Sequence, residues 1–372
     1  MNARSVFEEV ANDRKEAPKP AEARAPSRDG IAAWLWFLAF LVACMVLIGG
    51  LTRLTDSGLS ITVWDPVMGT IPPLSAADWN AAFAAYQTTT EFQIQNSWMT
   101  LEDFKPIFWW EWGHRFFGRF IGLVWFLGFL WFFLRKRIPA GWTGRLLALG
   151  VLGGLQGAIG WWMVASGLDQ LDVASYRLAT HLGLALLIFM LIIWYALKIR
   201  LDEVDSLKAR RRRISGMLGF GGLLTAVLFL QILSGALVAG IDAGRSYVDW
   251  PLMQGDFLPP ESFELQPLWR NFFENAALVQ FIHRKLGYVV GILGLVFAVR
   301  ALLSSNSAMR RWGGFVGLAV LAQIVIGIVT VMHAAPLEIA IFHQAGALVL
   351  AGLLIRAKFE AAYPAEEKIA RG

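Results

Sequence analysis

The sequence predicts an all-α integral membrane protein, eight transmembrane helices arranged as two pseudo-symmetric four-helix bundles, on three observations. Apolar residues make up 56% of the 372 and charged ones only 16%, a composition outside the range of soluble domains. Eight apolar runs each reach the roughly 20 residues that cross a bilayer core. The second half of the chain also repeats motifs of the first in the same order.

The first run, Ile31–Gly50, follows a polar opening that mixes Arg14, Lys15 and Lys19 with Glu8, Glu9, Glu16 and Glu22. Residues 1–30 therefore read as a disordered cytoplasmic tail, matching neither an acid-poor transit peptide nor the short apolar segment of a cleaved signal. The runs Phe108–Leu134, Leu146–Ser166 and Val173–Leu197 complete a first unit, 31–198. A basic cytoplasmic linker, 199–213, leads to a second unit, 214–356, with runs Ile214–Ile241, Ala276–Leu303, Gly313–Met332 and Leu337–Ile355; a cytoplasmic tail, 357–372, follows. Basic residues gather in the even connections, among them Arg135, Lys136, Arg137, Lys208, Arg210, Arg213, Arg310 and Arg311, while Asp56, Asp65, Glu91, Asp249 and Glu261 mark the first and fifth. The positive-inside rule then puts both termini in the cytoplasm, and a bacterial inner membrane is the address that fits. Topology accounts for the net charge of +5 and calls for no nucleic-acid partner. The only cysteine, Cys44, lies inside the first run, so it cannot form a disulfide within the chain and reads as packing.

After the first run come Asp56-Ser57-Gly58, Trp64-Asp65-Pro66-Val67-Met68 and Pro72-Pro73; after the fifth come Asp242-Ala243-Gly244, Asp249-Trp250-Pro251-Leu252-Met253 and Pro259-Pro260. Gln156 with Gly160 is answered by Gln323 with Gly327. Four spans separate the copies, so both keep one orientation about an axis along the membrane normal. Long outer loops with matching Trp, Pro and Asp read as folded caps, and most tryptophans as an interfacial belt.

Ionisable residues inside a bilayer are costly enough to be functional by default. His114, His181, His283 and His343 fall one each in the second, fourth, sixth and eighth runs, always near the outer end. Any one of them alone could snorkel or hydrogen-bond a neighbouring helix. Together, with His114-Arg115-Phe116-Phe117-Gly118 answered by His283-Arg284-Lys285-Leu286-Gly287, they read as two bis-histidine pockets, the way a helical bundle grips haem iron. The repeat favours two pairs over a single four-histidine zinc cage. His333 has no partner in the first half and reads as structural.

Gly118, Gly122, Gly287 and Gly291 thin the helix faces beyond the histidines, as a flat macrocycle requires. Arg115, Arg284 and Arg177 are candidate partners for haem propionates, since guanidinium binds carboxylate in bidentate fashion; for Arg177 snorkelling is the alternative. Glu111 precedes His114 by three residues, where the second half has the neutral Gln280. If one pocket does proton-coupled chemistry and the other only holds a redox group, the acid belongs to the reacting pocket. An ion pair with Arg115 at i+4 is the alternative role for Glu111, and the two are compatible.

The segments Gly49-Gly50-Leu51-Thr52-Arg53-Leu54-Thr55, Trp64-Asp65-Pro66 and Phe108-Trp109-Trp110-Glu111-Trp112-Gly113-His114-Arg115, with the His-Arg and His-Gln pairs of the second half, resemble the heme A synthase (CtaA) family. The likeness covers the chain after its N-terminal tail and, because the outer loops lack cysteines, points to the cysteine-free proteobacterial and mitochondrial class. It implies oxidation of a haem O ring methyl to a formyl group, by two hydroxylations and loss of water, giving haem A for terminal oxidase assembly. It also implies that His283 and His343 ligate a resident haem b, that His114 and His181 face the iron of the haem O substrate, and that Glu111 assists proton removal. A quinol-oxidising cytochrome with two bis-histidine haems b shares these ligands without needing Glu111. A haem chaperone would bind without reacting, and a transporter would carry ionisable groups at mid-membrane, where these spans have almost none. A homo-oligomer, stable complexes with haem O synthase or oxidase assembly factors, and the electron acceptor stay open at this stage.

Overall fold

Inside a bilayer every backbone N–H and C=O must be paired within the protein, which leaves an apolar chain the helix as its way across. The computed structural model describes residues 28–65 and 68–366. Its helices of nine residues or more, in chain order, are α1 Arg28–Leu54, α2 Ala76–Tyr86, α3 Leu101–Leu134, α4 Thr143–Ala165, α5 Ser175–Lys198, α6 Glu203–Arg211, α7 Ser215–Gly240, α8 Ala276–Leu302, α9 Ser307–Met332 and α10 Leu337–Ala362. All but α2 and α6 are long and apolar enough to cross a membrane, eight among the described residues.

Capping residues carry several helices past the apolar runs. α3 starts at Leu101 rather than Phe108, because Thr100 and Asp103 cap each other's backbone N–H. Asn306 likewise starts α9 at Ser307 rather than Gly313, accepting from the Met309 amide. The expected tails fall mostly on residues 1–27 and 367–372, which lie outside the described residues. Arg28 to Gly30 already belong to α1, and α10 continues through Ala362 instead of ending near residue 357. Its last turns bury Phe359 and Glu360; Phe359 packs edge-on against Trp194 of α5, ring centroids 5.3 Å apart, and the Ala361 carbonyl accepts from the Ile214 amide. The linker 199–213 contains α6, N-capped by Asp202.

α1 and α4 each pack on α3 and α5, while α7 and α9 each pack on α8 and α10. Contacts of α5 with α7, and of α10 with α1 and α5, join the two sets. Lipid offers no hydrophobic drive to bring helices together, so close backbone approach does the work. A Cβ added to Gly317 of α9 would stand 2.7 Å from Ala298 Cβ of α8. Across the seam Arg53 of α1 donates to Asp242 at 2.8 Å as well as to Asp56, and Gln344 of α10 donates to the Val46 carbonyl at 2.8 Å.

The outward extension of α3 carries the first cap. Phe104 and Phe108 pack with Tyr86, Trp79 and Phe83 of α2 and with Phe92, Tyr86 stacking on Phe104 with centroids 5.2 Å apart. A smaller cluster, Tyr247, Met253 and Ala277 with Phe281, seats the matching loop on α8.

Glu91 is buried in the first cap, accepting from Tyr86 Oη at 3.0 Å and Asn96 Nδ2 at 3.2 Å. Burial pushes its carboxyl up to about 7, against an opposing pull from the Tyr86 hydrogen bond. The folded group therefore holds its proton more tightly than the unfolded one. The stability it contributes is complete below the ordinary value of 4.5 and lost as pH rises through about 7. Hydrogen-exchange protection factors across residues 76–100, corrected for intrinsic base catalysis, should fall between about pH 5 and about pH 8. Glu91→Gln should remove that dependence; an unaltered pH profile in the variant would assign the effect elsewhere.

Candidate functional site

His283 on α8 and His343 on α10 face each other with ring centroids 6.4 Å apart and planes at 81°. An imidazole nitrogen lies about 1.2 Å from its ring centre and binds a metal at about 2 Å, so two rings on opposite sides of one ion have centres about 6.4 Å apart. The observed spacing fits a shared iron. Among the described residues no group of three or more His, Cys, Asp or Glu gathers as a metal cage; the donor set is a pair, and the four-histidine cage is not formed. His114 on α3 lies near enough to His181 on α5 for their charges to interact.

Each of these half-buried rings lies against a glycine of a neighbouring helix. A Cβ added to Gly160 of α4 would stand 2.9 Å from His181 Cε1, one on Gly235 of α7 3.0 Å from His283 Cε1, and one on Gly327 of α9 2.9 Å from His343 Cε1. At Gly49 of α1 the same atom would be 3.3 Å from His114 Nε2. Glycine is required at such approaches because any side chain would displace the ring. The repeat had marked Gly160 and Gly327 without showing that they seat the histidines; Gly235 carried no such signal.

Hydrogen bonds fix three of the four rings. Gln156 Nε2 lies 3.1 Å from His181 Nδ1 and donates to the His181 carbonyl at 3.0 Å. Gln323 does the same for His343, at 3.1 and 2.7 Å. Ser234 Oγ is 2.9 Å from His283 Nδ1, with Gln231 Nε2 at 3.2 Å. His333 sits exposed at the end of α9 with its Nδ1 2.9 Å from the Val329 carbonyl, bonded within its own helix.

Glu111 and Arg115 form the ion pair that their spacing allows, Nη2 to Oε1 at 2.5 Å and Nε to Oε1 at 3.0 Å. The other carboxylate oxygen accepts from Ser60 Oγ and the Ile61 amide, both at 2.7 Å. Arg115 also donates to the Ile61 and Val63 carbonyls. In the second half Gln280 donates to the Tyr247 carbonyl, and Arg284 to the carbonyls of Tyr247, Asp249 and Leu252. Both arginines thus anchor the outer loop to the histidine-bearing helix. Arg284 Nε and Arg177 Nε are among the buried donors that have no partner among the described residues. Arg177 lies over the Trp162 ring, 4.8 Å from its centroid. An acceptor-rich anion such as a haem propionate suits these orphaned atoms.

A model of the cytochrome oxidase assembly protein family (COX15-CtaA) matches residues 32–355. The heme A synthase of Ruegeria sp. (strain TM1040) is 52% identical over 378 positions, covering 99% of this chain and 99% of that relative. That of Dinoroseobacter shibae is 54% identical over 370, covering 97% and 96%, and that of Paracoccus denitrificans 48% over 378, covering 99% of each.

Gly327→Ala should push the His343 ring out of its seat. Alanine favours the helix itself, so the chain should fold while its bis-imidazole haem absorption is largely lost. Gly219→Ala, where an added Cβ meets nothing within 4 Å, should keep that spectrum; equal spectra in both variants would refute the seating role.

Proposed function

The chain belongs to the cytochrome oxidase assembly protein family, alongside full-length heme A synthase relatives, and we infer that it oxidises one ring methyl of haem O to the formyl of haem A. One observation carries the haem part of this reading, the 6.4 Å separation of the His283 and His343 rings. We read the two helix sets as pseudo-symmetric bundles, 31–198 and 214–356. Supporting that are the paired glycine seats, the Gln156 and Gln323 braces and the Arg115 and Arg284 loop anchors, each occurring once per half. The basic even connections favour cytoplasmic termini, with the histidines toward the outer face.

In this reading His283 and His343 hold a resident haem b, with the Arg284 Nε–H available to its propionates, while Arg177, one turn before His181, offers its Nε–H to the propionates of haem O. Haem b, when bound, supplies a one-electron acceptor. His114 and His181 face the iron of haem O, whose prenyl tail favours entry from the bilayer over a passage through water. Glu111 stands one turn before His114, its Oε1 neutralised by Arg115 and its Oε2 bonded to the Ser60 hydroxyl at 2.7 Å. As a carboxylate Glu111 would accept the proton released from the haem O methyl, with the Ser60 hydroxyl and the Arg115 guanidinium holding its two oxygens in place. Gln280, in the same place in the second half, has no acid to offer, which assigns the reacting pocket to the first. The product serves terminal oxidase assembly.

Expressed beside a haem O synthase in a host that makes no haem A, the chain should yield haem A together with haem b, identified by chromatography and mass. A haem-loaded preparation without haem A, or one with two haems b per chain, would overturn the reading.

Glu111→Gln should lower haem A formation by about 100-fold or more yet leave haem b content unchanged, since an amide already braces the loop at Gln280. Undiminished haem A would leave Glu111 as a loop brace only.

A further inference from the structure

The four imidazoles differ in what holds Nδ1. Ser234 Oγ donates its only proton to the Gln231 carbonyl at 2.7 Å, so toward His283 Nδ1, 2.9 Å away, it can only accept. In the tautomer that this favours, Nδ1 carries the proton, and Nε2, 3.4 Å from Gln231 Nε2, carries the lone pair that a metal would take. Gln156 and Gln323 tether His181 and His343 through their carbonyls. His114 has no side-chain hydrogen bond among the described residues.

The reason can be read from α1 and α7. Gly49 and Gly235 seat equivalent rings; the residue before each is Ile48 in α1 and Ser234 in α7, and four before each are Met45 and Gln231. Met45 and Gln231 also occupy the same place. A Cβ added to Gly118 would meet Met45 Cε at 3.5 Å, and one added to Gly287 would meet Gln231 Nε2 at 3.4 Å. Shape is kept between the halves and polarity is exchanged.

We propose that His114 is the releasing ligand: its unbraced imidazole leaves and rejoins the iron as haem O enters and haem A departs, whereas Ser234 and Gln231 make the second pocket a permanent one. The inference rests on the haem assignments given above. A substrate pocket must exchange its haem at every turnover, and a redox pocket must not. Outer-shell partners of a metal-binding histidine are worth about 10- to 100-fold in affinity, enough to separate the two behaviours without changing a ligand. Ser234 and Gln231 are positioning residues, acting through His283.

The test follows haem transfer from the purified, loaded chain to excess apomyoglobin, with the low-spin signal read by electron paramagnetic resonance. Ser234→Ala combined with Gln231→Met should speed loss of haem b by about 10- to 100-fold and shift its low-spin g values. Met45→Gln combined with Ile48→Ser should slow release of haem O and haem A by a similar factor; Met45→Gln alone, which preserves side-chain length, should slow it in part even if the double variant fails to fold. Wild-type transfer rates and g values in the first pair, or unslowed release in both Met45 variants, would overturn the proposal. His283→Ala separates the two levels. If it sheds haem b while the Ser234 variant does not, only this inference fails; if it keeps haem b, the assignment of the second pocket fails.

Discussion

Contact between an imidazole and the bare backbone of a neighbouring helix is the interaction on which this structure depends. It occurs at Gly49, Gly160, Gly235 and Gly327, and it fixes how near each helix pair comes and which way each ring points. A membrane helix has no hydrophobic reason to choose one neighbour over another. Four tight seats, each backed by packing along the helix pair, supply that choice. At Gly160, Gly235 and Gly327 the seat holds Cε1, whereas at Gly49 it meets Nε2, and hydrogen bonds to Nδ1 set the turn of the other three rings.

The outer loops are bound to the same helices by polar contacts. Arg115 and Arg284 spend their Nη donors on carbonyls of the segment that follows α1 or α7. Glu111 and Gln280 complete the arrangement from one turn before, the carboxylate accepting from the Ile61 amide and the amide donating to the Tyr247 carbonyl. A one-residue difference in charge therefore coexists with a shared scaffold. Such a scaffold would let the two halves take the different chemistry proposed above without refolding either.

Much of this was legible in the sequence because it is periodic or repeated. Eight spans follow from run length, the duplication from matching Asp, Trp, Pro and Gln positions, and the pairing of Glu111 with Arg115 from helical spacing. Helix ends were less legible: the start of α3 at Leu101 depends on a reciprocal cap, and the end of α10 on burial against Trp194, which is a contact between halves. Ser234 and Gln231 were not legible at all. A neutral polar residue in an apolar helix carries no sign of which neighbour it meets, and only the seat at Gly235 reveals that both lie beside His283. Arg115 and Arg284, read from the sequence as anion partners, are loop anchors in the structure; their acceptors are backbone carbonyls, which every residue has and no pattern distinguishes.

The seam is latched at three depths, by Arg53 with Asp242, by Gln344 with the Val46 carbonyl, and by Trp194 with Phe359. Parallel repeats elsewhere let one lobe rock against the other; these three contacts would have to break for such a motion here. If the two pockets hold the haems proposed above, that restraint would be useful, because electron tunnelling weakens exponentially with the gap to be crossed and a fixed gap would hold its rate constant.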